Sequence, residues 1–122
     1  MIKILLIFLG GGLGSLARYG TGIMTTRLIQ TSFPVGTLIS NVLACVILAL
    51  IAYTASGKFV ENSWVQPLIL IGFCGGFSTF STFSNETVQL INTGYYSIAA
   101  ANIFISLLTG IGVVFLFSQY TK

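Results

Sequence analysis

The sequence predicts an all-α integral membrane protein with four transmembrane helices, the third of them broken between Gly75 and Ser78. Three observations carry that prediction. Hydrophobic side chains make up 55% of the 122 residues and charged ones only 6%, against roughly 25% charged in an ordinary soluble domain. Four apolar stretches each reach the ~20 residues that a helix needs to cross the hydrocarbon core. One of them contains GFCGGFSTFSTFS at residues 72–84, and glycine-rich polar backbone at membrane depth must line a cavity or a protein contact.

The spans read as residues 4–24, 35–54, 65–90 and 97–117, filling a single domain over residues 1–122. Their connections carry turn residues: Ser32-Phe33-Pro34, then Ser56-Gly57-Lys58 with Glu61-Asn62, then Asn92-Thr93-Gly94. Trp64, Tyr95, Tyr96 and Tyr120 fall near span ends, where amphipathic aromatics favour the interface. The apolar start lacks a small-residue cleavage pattern and is read as a retained span.

In the first span, Gly10 and Gly14 have the small-xxx-small spacing that suits close helix contact. Arg18 lies in the same span, where a charge costs several kcal/mol unless it snorkels or finds partners. Anchoring at the interface and a role with buried partners are both open to it. In the second span, Asn41 lies about two turns in; its amide can donate to an ion or bridge helices.

The third span is longer than a bilayer requires and carries Gly75-Gly76 near its middle. A break there orphans carbonyls at the end of one half-helix and N–H groups at the start of the next. Carbonyls suit a cation; N–H groups and hydroxyls suit an anion. The bland alternative is that the glycines only let helices approach closely. Downstream, Ser78, Ser81 and Ser84 recur every third residue, as do Thr79 and Thr82, and Phe80 and Phe83. In a helix this makes a phenylalanine ridge flanked by hydroxyl ridges. Phenyl edges and hydroxyl protons can both face an anion, while ordinary packing with hydroxyls bonded back to the helix is the competing reading. Glu86 is the one acid plausibly within a span, either solvated near the surface or lining a pore entrance. The fourth span carries a polar stripe of Asn102, Ser106 and Thr109, which could face water or hold helices together.

Composition also excludes. There is no histidine and no aspartate, which removes the commonest general bases and most metal sites. Cys45 and Cys74 sit in apolar segments and read as small buried hydrophobes. The net charge of +3 is scattered, unlike a nucleic-acid footprint. An enzyme is not expected; transport or structural assembly remains. Lys3, Lys58 and Lys122 oppose Arg27 across the membrane, a positive-inside bias small enough for insertion in both orientations. Four short-looped helices leave little room for a central path, so a polar strip on one face points to a pathway at or beside a subunit contact.

The sequence resembles the Fluc/CrcB family of bacterial fluoride channels over nearly its whole length. The resemblance rests on GGGLGSLARY at residues 10–19, GTLISN at residues 36–41 and GFCGGFSTFSTFS at residues 72–84. It implies an antiparallel dual-topology dimer, of identical subunits or of a paralogous pair, in the bacterial cytoplasmic membrane, exporting fluoride passively along two pathways. On that resemblance Phe80 and Phe83 contact fluoride through ring edges, Asn41 caps the ion path, and Ser81 and Thr82 form a hydroxyl track. Ser106 is the best fourth-span candidate, and Asn102 the next; Glu86 occupies a recurring acidic position and Arg18 the family's first-span arginine. The carbonyls of Gly75 and Ser78 from both subunits would surround a structural sodium ion at the dimer axis. Two other readings compete: a small proton-coupled multidrug exporter, against which the absence of a first-span acid counts, and a non-transporting assembly subunit.

Overall fold

A computed structural model of the chain describes residues 1–54 and 63–120. Lys58, Glu61 and Lys122, which enter the charge bias above, and the connection around Ser56 and Asn62 lie outside the described residues. Helix α1 spans Ile2–Leu28 and α2 spans Val35–Thr54. A π-helical run, Gln66–Cys74, continued by the α-turn Gly75–Phe77, forms α3. Helix α4 is Phe80–Asn92 and α5 is Tyr96–Tyr120. Counting α3 and α4 as two halves of one span, four helical segments among the described residues are long and apolar enough to cross a membrane.

The boundaries follow local chemistry. Ile29 turns extended after α1 (φ −128°, ψ 108°), and Pro34 precedes α2, where its missing N–H is no loss. Gly94 adopts φ +82° after α4. That left-handed residue lets the Tyr95 N–H reach back to the Leu90 carbonyl at 2.8 Å, closing the helix end and reversing the chain into α5.

Backbone contact decides how the first span packs. A Cβ at Gly10 would overlap the Leu68 carbonyl, one at Gly14 the Phe73 carbonyl, and one at Gly76 the Gly11 carbonyl. α1 therefore lies against α3 with main chain touching main chain, the close approach that small residues permit in membranes. Gly10 and Gly14 make this contact within the chain. α2 packs on α1 and on α5, while α4 packs on α5. The two halves of the third span thus rest on different neighbours, α1 for the first and α5 for the second. A small core of Ala44, Cys74 and Phe77, with Ala17, Ile47 and Phe73 around it, joins α1, α2 and α3. Cys45 and Cys74 are free thiols.

The interruption falls at the far edge of the predicted interval. Gly75 keeps helical angles (φ −64°, ψ −37°), and it is Ser78 (ψ 156°) and Thr79 (φ −155°, ψ 117°) that are extended. Gly76 serves close packing against α1, so the glycine pair does not itself open the helix. A partner on another helix does.

Candidate functional site

That partner is Asn41, on α2. Its side-chain oxygen accepts the Thr79 N–H at 2.7 Å, and its amide nitrogen donates to the Thr79 carbonyl at 3.3 Å. One side chain thus satisfies both backbone groups of the extended residue, groups that would otherwise be costly to leave unpaired away from water. The consequence reaches upstream. In a continued helix the Thr79 N–H would bond the Gly75 carbonyl; here Asn41 holds it. The Ser78 N–H and hydroxyl both go to the Cys74 carbonyl, at 2.9 and 2.8 Å.

Thr79 is also the N-cap of α4. Its hydroxyl oxygen accepts the Thr82 N–H at 3.2 Å, which satisfies one of the free donors of the first turn. The same hydroxyl donates to Thr82 Oγ1 at 3.1 Å and lies 3.3 Å from Ser81 Oγ. Arg18, half-buried on α1, reaches Thr82 Oγ1 through Nη1 at 3.5 Å, a long contact. Thr82 Oγ1 therefore accepts from two sides, which leaves its own proton for an outside acceptor. Asn41 likewise has a second amide N–H beyond the one given to Thr79.

Phe80 and Phe83 follow the cap. Their ring centroids are 5.8 Å apart and the planes tilted by 39°, a separation within the roughly 4.5–7 Å range of aromatic pairs. Phe83 is 9% exposed and Phe80 77%. The pair runs from the interior of the chain to its outer face. Gly75 and Ser81 are exposed as well.

Beyond the rings, Glu86 accepts a hydrogen bond from the Thr37 hydroxyl at 2.9 Å through Oε1, while its Oε2 is buried without a hydrogen-bond partner. Thr37 lies one turn before Asn41 on α2, so the two point along one helix face. Glu86, Thr37, Thr82 and Arg18 border a cleft of about 750 Å³ that the α1–α2 connection also lines. On the fourth span, Asn102 donates to Thr87 Oγ1 at 2.9 Å and accepts from Ser106 at 3.3 Å. Asn102 is buried between helices and Ser106 is turned toward it; Thr109 bonds back to the Ile105 carbonyl at 2.6 Å. No cluster of three or more His, Cys, Asp or Glu side chains that could hold a metal ion occurs among the described residues.

The structure brings Arg18, Asn41, Ser81 and Thr82 together around the break, with Phe80 and Phe83 next to it. Glu86 stands further along, and Ser106 belongs to a separate group on α5. Sequence reasoning passes over Thr37, Thr79 as a cap, and Thr87. Thr79 has a signal, since a hydroxyl residue three before Thr82 is an N-cap pattern once the helix is known to restart. Thr37 and Thr87 have none beyond helical spacing.

Residues 5–117 match the family described as CrcB-like protein, Camphor Resistance (CrcB). A protein named fluoride-specific ion channel FluC from Phocaeicola vulgatus is 46% identical over 96 residues, covering 79% of this chain and 78% of the relative. Proteins of the same name from Dehalococcoides mccartyi and Coxiella burnetii are 39% identical over 116 residues and 41% over 106. They cover 95% and 86% of this chain, and 89% and 86% of their own lengths. On a family match over nearly the whole chain and relatives of this closeness, the chain, a multi-pass membrane protein, belongs to the CrcB family.

Proposed function

We propose that this chain is a fluoride-selective channel that exports the ion passively across the bacterial cytoplasmic membrane, with its pathways completed by an antiparallel second subunit. The observation that carries the reading is the Asn41–Thr79 clamp, which opens the third span and sets amide, hydroxyl and phenyl-edge groups side by side. The relatives named as fluoride-specific channels supply the identity of the ion.

Selectivity on this reading comes from replacing water around a small anion with fixed donors. The free amide N–H of Asn41 and the free hydroxyl proton of Thr82 supply hydrogen bonds, and Ser81, beside the Thr79 hydroxyl, extends the hydroxyl track. Phe80 and Phe83 present positive ring edges to the ion. The nearby Arg18 guanidinium raises the local potential without standing in the path. Glu86 and Thr37 line the cleft beyond the rings. Ser106, turned toward Asn102, is the fourth-span candidate for the path.

A second subunit is supported by what this chain leaves uncovered. Phe80, Ser81 and Gly75 form one side of a path whose other side must come from elsewhere. A two-fold arrangement duplicates every group at the axis. The dimer can pair two copies of this chain or this chain with a paralogue. The Gly75 carbonyl, deprived of its helical donor, and the Ser78 carbonyl fit the donor set of a structural sodium ion between subunits; bound there, the ion would neutralise carbonyl dipoles facing one another.

Efflux from liposomes containing the purified chain, followed with a fluoride electrode, tests the function. Rapid fluoride loss with no measurable chloride loss is expected, and equal flux of both ions would overturn the reading. Exchanging sodium for a bulky organic cation should lower the thermal stability of the assembly; an unchanged melting profile would remove the sodium assignment.

A further inference from the structure

Asn102 is the largest fully buried side chain among the described residues, at 1% exposure. Its hydrogen bonds have a direction that one group fixes. The Phe83 carbonyl can only accept, so the Thr87 hydroxyl, 2.8 Å away, must donate to it. With its proton used, Thr87 Oγ1 can only accept from Asn102, which turns the amide nitrogen toward α4 and the amide oxygen toward Ser106. The chain of donors therefore runs from Ser106 through Asn102 and Thr87 to the Phe83 carbonyl.

Helix α4 needs such a tie. It restarts after two extended residues, so its first turn has little backbone bonding behind it. Asn41 fixes its entry at Thr79, one residue before Phe80. A threonine bonded to the carbonyl one turn back is by itself only a local feature. Here the same hydroxyl is gripped by a buried amide on another helix, and the grip reaches Phe83. The two phenylalanines lie between two anchors, one from α2 and one from α5.

We infer that Thr87 is a positioning residue for the ion path: held by Asn102, it fixes the Phe83 peptide and so the distance between the Phe83 and Phe80 rings. This inference rests on the reading of the ring pair as part of an anion pathway. Thr87 touches no ion; it acts through Phe83.

The test compares Thr87→Val, which keeps the shape and removes the hydroxyl, with Thr87→Ser, which keeps the hydroxyl. Both are reconstituted beside the parent chain and followed by fluoride efflux and size-exclusion elution. Thr87→Val should assemble as the parent does and pass fluoride on the order of tenfold more slowly, as fixed contacts to a dehydrated ion loosen. Thr87→Ser should stay within about twofold of the parent. Parent-like efflux from Thr87→Val, or equal loss from both variants, overturns the inference. If Thr87→Val does not assemble, Asn102→Ala breaks the same tie from α5 and should show the same loss; failure of both to assemble assigns the tie to stability alone and also overturns it. A parent chain that passes no fluoride would instead sink the functional reading, so the two failures are distinguishable.

Discussion

Asn41 holds both backbone groups of Thr79, accepting its N–H at 2.7 Å and donating to its carbonyl at 3.3 Å. A single amide on α2 thereby ends one half-helix and starts another. Because it is both a structural clamp and the bearer of a spare N–H beside the proposed path, its replacement separates the two roles. Asn41→Asp keeps the acceptor for the Thr79 N–H, removes both amide donors and adds negative charge. Fluoride efflux should fall at least about tenfold, with the apparent stability in detergent reduced by about 1–3 kcal/mol. Efflux at the parent rate would remove Asn41 from the path.

The phenylalanine pair separates conduction from packing. Phe80 is exposed on the isolated chain and Phe83 buried. Phe80→Ile and Phe83→Ile should each slow fluoride efflux by roughly two- to tenfold, taking the about 0.5–1.5 kcal/mol of an aromatic pair contact as the scale of a lost ring edge. Only Phe83→Ile should also lower subunit stability, by about 1–3 kcal/mol. Thermal unfolding together with electrode measurements reads both quantities; a Phe80→Ile protein that assembles and conducts normally would remove that ring from the mechanism.

Glycine positions in α1 should differ sharply over two residues. Gly10→Ala and Gly14→Ala drive a methyl group into the Leu68 and Phe73 carbonyls, and overpacking of this kind costs about 1–3 kcal/mol or more. A methyl group at Gly12 would meet no atom within 4 Å. Gly12→Ala should therefore be neutral, or stabilising by up to about 1 kcal/mol through helix propensity. Detergent melting curves give the order directly, and equal effects at Gly10 and Gly12 would contradict the packing of α1 on α3.

Thr37 and Glu86 should behave as a coupled pair. Thr37→Val removes the only hydrogen bond found for the Glu86 carboxylate among the described residues, leaving a buried acceptor unmet at a cost of about 1–3 kcal/mol. In a Glu86→Leu background the same change should cost much less. A double-mutant cycle with a coupling near zero would show that the contact contributes nothing.

Residue chemistry by itself determined the class of protein and the order of its spans. Apolar length sets a membrane helix wherever it occurs, and the three-residue repeats around Phe80 and Phe83 set hydroxyls and phenyl rings on neighbouring ridges of one helix. The Gly10–Gly14 spacing announced a close contact because the absence of a side chain is a local property. Tertiary structure decided what those signals acted on. The glycine pair at Gly75 and Gly76 looked like the opening of the third helix, yet both residues are helical. The opening comes at Ser78 and Thr79, where the hydrogen bonds that a helix would keep are taken by Asn41, distant in sequence. In the same way Asn102 reads as one polar residue in a stripe, and only the approach of α4 to α5 makes it the grip on Thr87. Hydrophobic length and glycine spacing are written along the chain; a hydrogen bond that competes with the backbone exists only when another helix delivers its partner.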